Sequence, residues 1–175
     1  KKFKVNLFGD LEGQRIEYCA LYPGDASPAI NLTEAANNLI SNSIYLCKST
    51  GPIVNDEIQF VQSLPFKRID IYMEGGTPNT DNTYVWQYWD GSSWQNLSVT
   101  DGTLYNGKVF GKSGSVTWTT DNITKVKAKI TTKRASKPKA THIQISELSS
   151  TGFDANAAFL SSLTVRIYRK REDGT

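Results

Sequence analysis

A single histidine, two cysteines and 17 acidic residues are the reactive side chains of this 175-residue chain, and their spacing assembles no catalytic kit. Nucleophilic catalysis needs a base held against a serine or cysteine. His142 instead alternates with Thr141, Ile143, Gln144 and Ile145 in a strand pattern, which predicts a structural or surface place for it. Cys19 and Cys47 lie far apart and make no close ligand pair with one another or with His142, so the spacing of a zinc site is missing. Gly107-Lys108-Val109-Phe110-Gly111-Lys112-Ser113 imitates a phosphate loop, but its glycines stand one residue too close. A strand rather than a helix follows it, so no helix N-terminus faces a phosphate. Asp81, Asp90, Asp101 and Asp121 occupy turns and bring calcium to mind, yet no dense Asp-x-Asp-x-Asp run occurs. Nothing singles out two of the acids as a glycoside-hydrolysing pair. The expectation is a protein without catalytic residues, cofactor or metal.

Binding chemistry is better represented. Three of the four tryptophans, Trp86, Trp89 and Trp94, fall within Tyr84–Leu97. Such rings stack on sugars or fill a protein core and a subunit interface, so all three are candidate interaction or glycan-stacking residues. A second constellation is cationic. Lys125, Lys127, Lys129, Lys133, Arg134, Lys137 and Lys139 lie between Asn122 and Ser146, a stretch without one acidic residue. Lys125, Lys127 and Lys129 alternate with Val126, Ala128 and Ile130, giving a strand with one basic and one apolar face. Lysines of this kind guard a sheet edge or form a contact with an acidic partner. Nucleic acid is not expected, because no aromatic residue interleaves with these cations.

Strands must position these residues. Alternating or β-rich segments recur near 2–8, 14–22, 43–48, 57–62, 66–74, 83–89, 93–99, 105–110, 114–120, 125–131, 140–147 and 162–169, separated by Gly, Pro, Asn, Asp and Ser clusters. That rhythm predicts an all-β, antiparallel jelly-roll-type sandwich. Leu32, Ala35, Ala36, Leu39 and Ile40 are spaced for one short helix over 33–41, capped by Asn31 or Thr33. The loops 75–82 and 134–138 are strong breaks long enough to reach a partner. Asp90-Gly91 predicts a tight reversal between two arms of an aromatic hairpin.

Length, 38% hydrophobic content and a net charge of +3 fit one cored domain, expected over 1–169 with a flexible tail at 170–175. No apolar run suits membrane insertion, and no signal-peptide pattern is expected. The two cysteines predict buried thiols in a reducing compartment.

Part of the pattern resembles a known family. Trp86-Gln87-Tyr88-Trp89-Asp90-Gly91, Ser93-Trp94, Asp101-Gly102-Thr103 and Ser113-Gly114-Ser115-Val116-Thr117-Trp118 are similar, in order and spacing, to the signature of discoidin-like or jelly-roll β-sandwich domains in tailed-bacteriophage virion proteins. The resemblance implies a non-enzymatic structural component of a virus particle, in the tail, the baseplate or a capsid-decorating position, located in the virion after synthesis in the host cytoplasm. Its partners would be other virion subunits, as a homo-oligomer or as repeated copies on a scaffold. The alternative is a carbohydrate-binding module or adhesin that recognises host-surface glycans.

Overall fold

The computed structural model describes residues 15–38, 44–76 and 78–148. The strands expected at 2–8 and 162–169, the last residues of the expected helix and both ends of the expected domain lie outside that set. Within it, alternating apolar residues fold as predicted into an antiparallel β-sandwich. The elements are β1 (Tyr18–Tyr22), β2 (Ile30–Asn31), α1 (Thr33–Ala36), β3 (Ile44–Tyr45), β4 (Glu57–Val61), β5 (Phe66–Met73), β6 (Thr83–Trp89), β7 (Trp94–Asn96), β8 (Thr100–Asp101), β9 (Gly114–Thr117), β10 (Lys125–Thr132) and β11 (Lys139–Leu148). One sheet runs β2-β1-β4-β10-β6-β7 and the other β3-β11-β5-β9-β8. The chain passes between the sheets repeatedly, so few neighbours in sequence are neighbours in a sheet.

Register explains the core. In the six-stranded sheet Cys19, Phe60 and Val126 align across β1, β4 and β10, as do Leu21, Ile58, Ala128 and Trp86 across β1, β4, β10 and β6. Both rows are buried and meet Ile69, Ile71, Val116, Ile143 and Ile145 of the second sheet. The intervening positions therefore face outward on both sheets. The helix is shorter than its spacing suggests. Asn31 Oδ1 accepts from Thr33 N at 2.9 Å, while the Thr33 hydroxyl is turned to the backbone of Cys19. With Ala36 buried, α1 packs on both β1 and β11 and bridges the sheets along one side.

Several boundaries depart from expectation. The segment 105–110 is a turn, because Asn106, Gly107 and Phe110 take positive φ. The two-residue strands β2 and β8 were too short to leave a periodicity. Both cysteines are free and buried, and burial raises their thiol pKa values, that of Cys47 to about 12.

Trp86, Asp101, Gly102, Thr103 and Gly114 of the family-like signature form one internal knot. Trp86 Nε1, on β6, donates to Asp101 Oδ2, on β8, at 3.0 Å, joining the two sheets. Asp101 Oδ1 accepts from the amide and hydroxyl of Thr103, and the Thr103 hydroxyl accepts from Phe110 N at 2.9 Å. The Trp86 ring is stacked on Phe60 and meets Phe110 edge-on. Beside it, Gly102 N donates to Ser115 O at 2.7 Å. A Cβ on Gly102 or Gly114 would overlap the facing backbone of Ser115 or Gly102. The glycines are required by this close approach.

Gly114→Ala is accordingly expected to lower stability by about 1–3 kcal/mol through overpacking against backbone. Gly75→Ala, where nothing stands within 4 Å, should stay within about 0.5 kcal/mol. Urea unfolding followed by tryptophan fluorescence compares them; equal midpoints would remove the close approach as a constraint.

Candidate functional site

The outward face of the six-stranded sheet collects the side chains that its core-facing rows do not use. Ala20, Gln59, Lys127, Gln87 and Asn96 stand opposite one another across β1, β4, β10, β6 and β7. Tyr18 and Tyr22 project on the β1 side of that row, their hydroxyls 3.3 Å apart. On the far side Trp89 and Trp94 are directly paired across β6 and β7, edge to face at 5.7 Å and 68°. Trp89 is 37% exposed.

A four-residue turn fixes this tryptophan pair. Asp90 Oδ1 accepts from the amides of Ser92 and Ser93 at 2.8 Å, and Oδ2 accepts from Gln95 Nε2 at 2.9 Å. Gly91 alone supplies the positive φ expected of Asp90-Gly91. These bonds stabilise the ionised carboxylate and hold its pKa well below the usual carboxylate range.

Sequence reasoning grouped three tryptophans, and the structure separates them. Trp89 and Trp94 are together at the surface. Trp86 is 4% exposed and belongs to the knot between the sheets, so it cannot join a stacking platform. Its parity in β6 points it opposite to Trp89.

The basic strand also needs correction. β10 lies between β4 and β6 with both sides paired, so its lysines guard no edge. Lys127 is 4% exposed and ion-paired with Glu57. Its Nζ stands 4.1 Å from the centroid of the Trp94 ring, a cation–π distance. Burial lowers its pKa, opposed by Glu57. Lys127 is therefore an internal strut of the face and not a free contact group. Lys125, half-buried, lies 5.6 and 5.1 Å from the Trp89 and Trp94 rings, and Lys129 is half-buried on the same face. Lys133, Arg134 and Lys137 are exposed in the following loop, and Lys139 is half-buried at the start of β11.

That loop is tightly held. Asn79 and Asn82 are fully buried. Asn79 Nδ2 donates to the carbonyls of Asn82 and Val109 at 2.8 Å, Asn82 Nδ2 donates to Ser136 O, and Arg134 N donates to Asn82 Oδ1, both at 2.6 Å. Asp81 accepts from the amides of Ala135 and Ser136. Burial raises the Asp81 pKa, but these bonds and nearby Arg134 outweigh it and the net shift is downward. The loops 75–82 and 134–138, expected to reach out, are stitched to each other.

The turn aspartates do not converge on one point. Asp81, Asp90 and Asp101 hold backbone amides, and Asp121 pairs with Lys67. His142 stacks on Tyr72 at 3.9 Å on the outward face of the second sheet, where partial burial lowers its pKa. Glu57, Gln59, Tyr18 and Tyr22 were not foreseen as members of the tryptophan-bearing face. Only the pairing of β1 and β4 with β10 brings them there, and local spacing carries no trace of it.

No family model and no curated protein matches the chain. Among solved structures it is similar to CpGH89CBM32-6 produced by Clostridium perfringens, with 15% identity over 61% of this chain and 93% of that one at a TM-score of 0.38. A likeness this distant carries no argument about function.

Removing Lys127 strands the Glu57 carboxylate, whereas half-buried Lys125 has only a cation–π role. Lys127→Ala should cost about 1–3 kcal/mol, below the full penalty of a broken buried pair because Glu57 is partly solvated. Lys125→Ala should cost less than about 1 kcal/mol. Thermal unfolding of both variants checks this, and equal losses would deny Lys127 its strut role. The turn carries a pH dependence. Since the folded pKa of Asp90 is depressed, its contribution is complete above the unfolded value of about 3.9 and is lost as pH falls through the folded value. The near-ultraviolet circular dichroism of the Trp89–Trp94 pair should hold from neutrality down to about pH 4 and weaken only well below it. In Asp90→Ala it should already be weak at neutral pH.

Proposed function

We propose that this protein is a non-enzymatic structural component of a virus particle, in a tailed-phage tail, baseplate or capsid-decorating position. It acts through protein–protein contacts made by the outward face of the six-stranded sheet. One observation supports the choice of face: the Trp89–Trp94 pair, partly exposed yet held rigid by the Asp90 turn. Large aromatic rings that lose little freedom on binding are the residues that dominate interface energetics. The family-like signature supports the particle setting, although Trp86, Asp101, Gly102 and Gly114 within it are used here to build the sandwich. Lys125 beside the rings, with Lys129 farther along the same face, provides positive charge that orients an acidic partner and speeds association. The site contributes binding surface, and no proton or group transfer is assigned to it.

A second reading, an adhesin that binds host-surface glycans, draws on the same rings. It is favoured by the Gln87–Asn96 amide pair, bonded at 3.2 Å next to the tryptophans. Sugars are held by an aromatic face flanked by such amides.

Mass spectrometry of purified particles from the source should find the protein as a stoichiometric component. Trp89→Ala, a surface substitution, should lower its incorporation about tenfold, the loss expected from an anchor worth about 1.4 kcal/mol. Absence from particles would sink the structural reading. Specific glycan-array binding that disappears in a folded Trp94→Ala variant would replace it with the adhesin.

A further inference from the structure

At the end of the sandwich where β5 and β10 finish, the stitched loops leave an open pocket of about 680 Å³. Its lining includes Tyr45, Thr80, Ser136, Lys137 and Lys139. Its chemistry differs from that of the tryptophan face, which begins at the other end of β6 and β10. Tyr45 is a half-buried ring on the edge strand β3, and Lys139 Nζ lies 5.1 Å from its centroid. Lys139 also pairs with Glu74 at 3.4 Å, so its charge is shared. Lys137 is exposed, and among the described residues no acidic one is part of the lining. Two hydroxyls complete the wall: Thr80 and Ser136 Oγ atoms lie 2.7 Å apart, with Thr80 N donating to Ser136 Oγ at 3.0 Å.

The walls are built before any ligand arrives. Asn79, Asn82 and Asp81 fix the two loops through six side-chain bonds to backbone, so binding here costs little ordering entropy. The Asp81 carboxylate has its oxygens turned to the amides of Ala135 and Ser136. Of the two lining lysines, Lys139 has Glu74 beside it, so the exposed Lys137 carries the unshared positive charge.

The geometry points to a binding site for an acidic sugar, one bearing a carboxylate or sulfate group. The ring of Tyr45 suits a sugar face, Thr80 and Ser136 suit its hydroxyls, and Lys137 with Lys139 suits the anionic substituent. An acidic peptide would use the lysines but has no need of the ring and the hydroxyl pair. The inference does not rest on the virion role or on the tryptophan face.

A titration of the isotope-labelled full chain, followed by amide NMR, tests it with four probes. These are a hyaluronan tetrasaccharide carrying carboxylates, a heparin tetrasaccharide carrying sulfates, a neutral chitin tetrasaccharide and a tetraglutamate peptide. At least one acidic sugar should shift the amides of residues 45, 80, 136 and 137, and the stronger of the two identifies the substituent. Lys137→Gln, an exposed change that leaves the loop bonds intact, should weaken that binding about tenfold. Tyr45→Ala should weaken it further if the variant stays folded. Glycan binding that moves Trp89 and Trp94 amides and ignores Lys137→Gln would overturn the site while supporting the adhesin reading. Equal binding of tetraglutamate would show only a general cationic patch and overturn it too. So would equal binding of the neutral sugar, or no response to either acidic sugar up to about 10 mM, where binding free energy is below about 3 kcal/mol.

Discussion

The bond from the Trp86 indole to Asp101 is the constraint on which the rest of the sandwich depends. It runs from β6 in one sheet to β8 in the other, and thus adds a directional tie between two layers that meet mainly through apolar contact. Apolar packing is non-directional. A buried hydrogen bond to a carboxylate is directional and costly to leave unmade. Once Asp101 is held, Thr103 is held by it, Phe110 by Thr103, and the backbones of residues 102 and 114–115 can come together without side chains between them. The indole of Trp118, by contrast, packs edge-on against Phe66, and its Nε1 finds no acceptor among the described residues. Two tryptophans of one sequence pattern therefore do different physical jobs, one as a directional tie and the other as filling.

This knot changes what a signature in the sequence means. Trp86, Asp101, Gly102, Thr103 and Gly114 form a pattern because they must meet in space, and what they accomplish is closure of a sandwich. Other members of the same pattern, Trp89 and Trp94, alternate away from the core and stay partly exposed, which is where the proposed contact face draws its rings.

Sheet membership of the long strands was legible because a buried face and a wet face leave period-two alternation. β6 was read to the residue, and β4, β5 and β10 to within one. Short strands such as Ile30–Asn31 and Thr100–Asp101 carry too few residues for any period to emerge. The sign of the basic strand was legible and its position was not. Alternation reports that Lys127 faces away from the core, but whether outward means exposed depends on the neighbouring strands. Glu57 and Trp94 cover it, and neither is near it in sequence. The loops 75–82 and 134–138 likewise read as free breaks, because the partners that Asn79 and Asn82 find are supplied by distant segments.

The six-stranded sheet has a further consequence for how the molecule comes to exist. Its centre is β4 against β10, two strands from opposite parts of the described chain, with β5 through β9 emerging between them. The hairpin of β6 and β7 is local and can close early, since its turn is secured by Asp90 alone. Until β10 is synthesised and inserted, however, that hairpin has one unpaired edge and an uncovered inner face bearing Tyr84, Trp86 and Tyr88. Long-range pairings of this kind make folding slow, and a half-made aromatic sheet is prone to associate with its own kind. The strand rich in lysine is thus also the strand that ends this vulnerable interval. Its charges oppose self-association of a strand that must insert between two others.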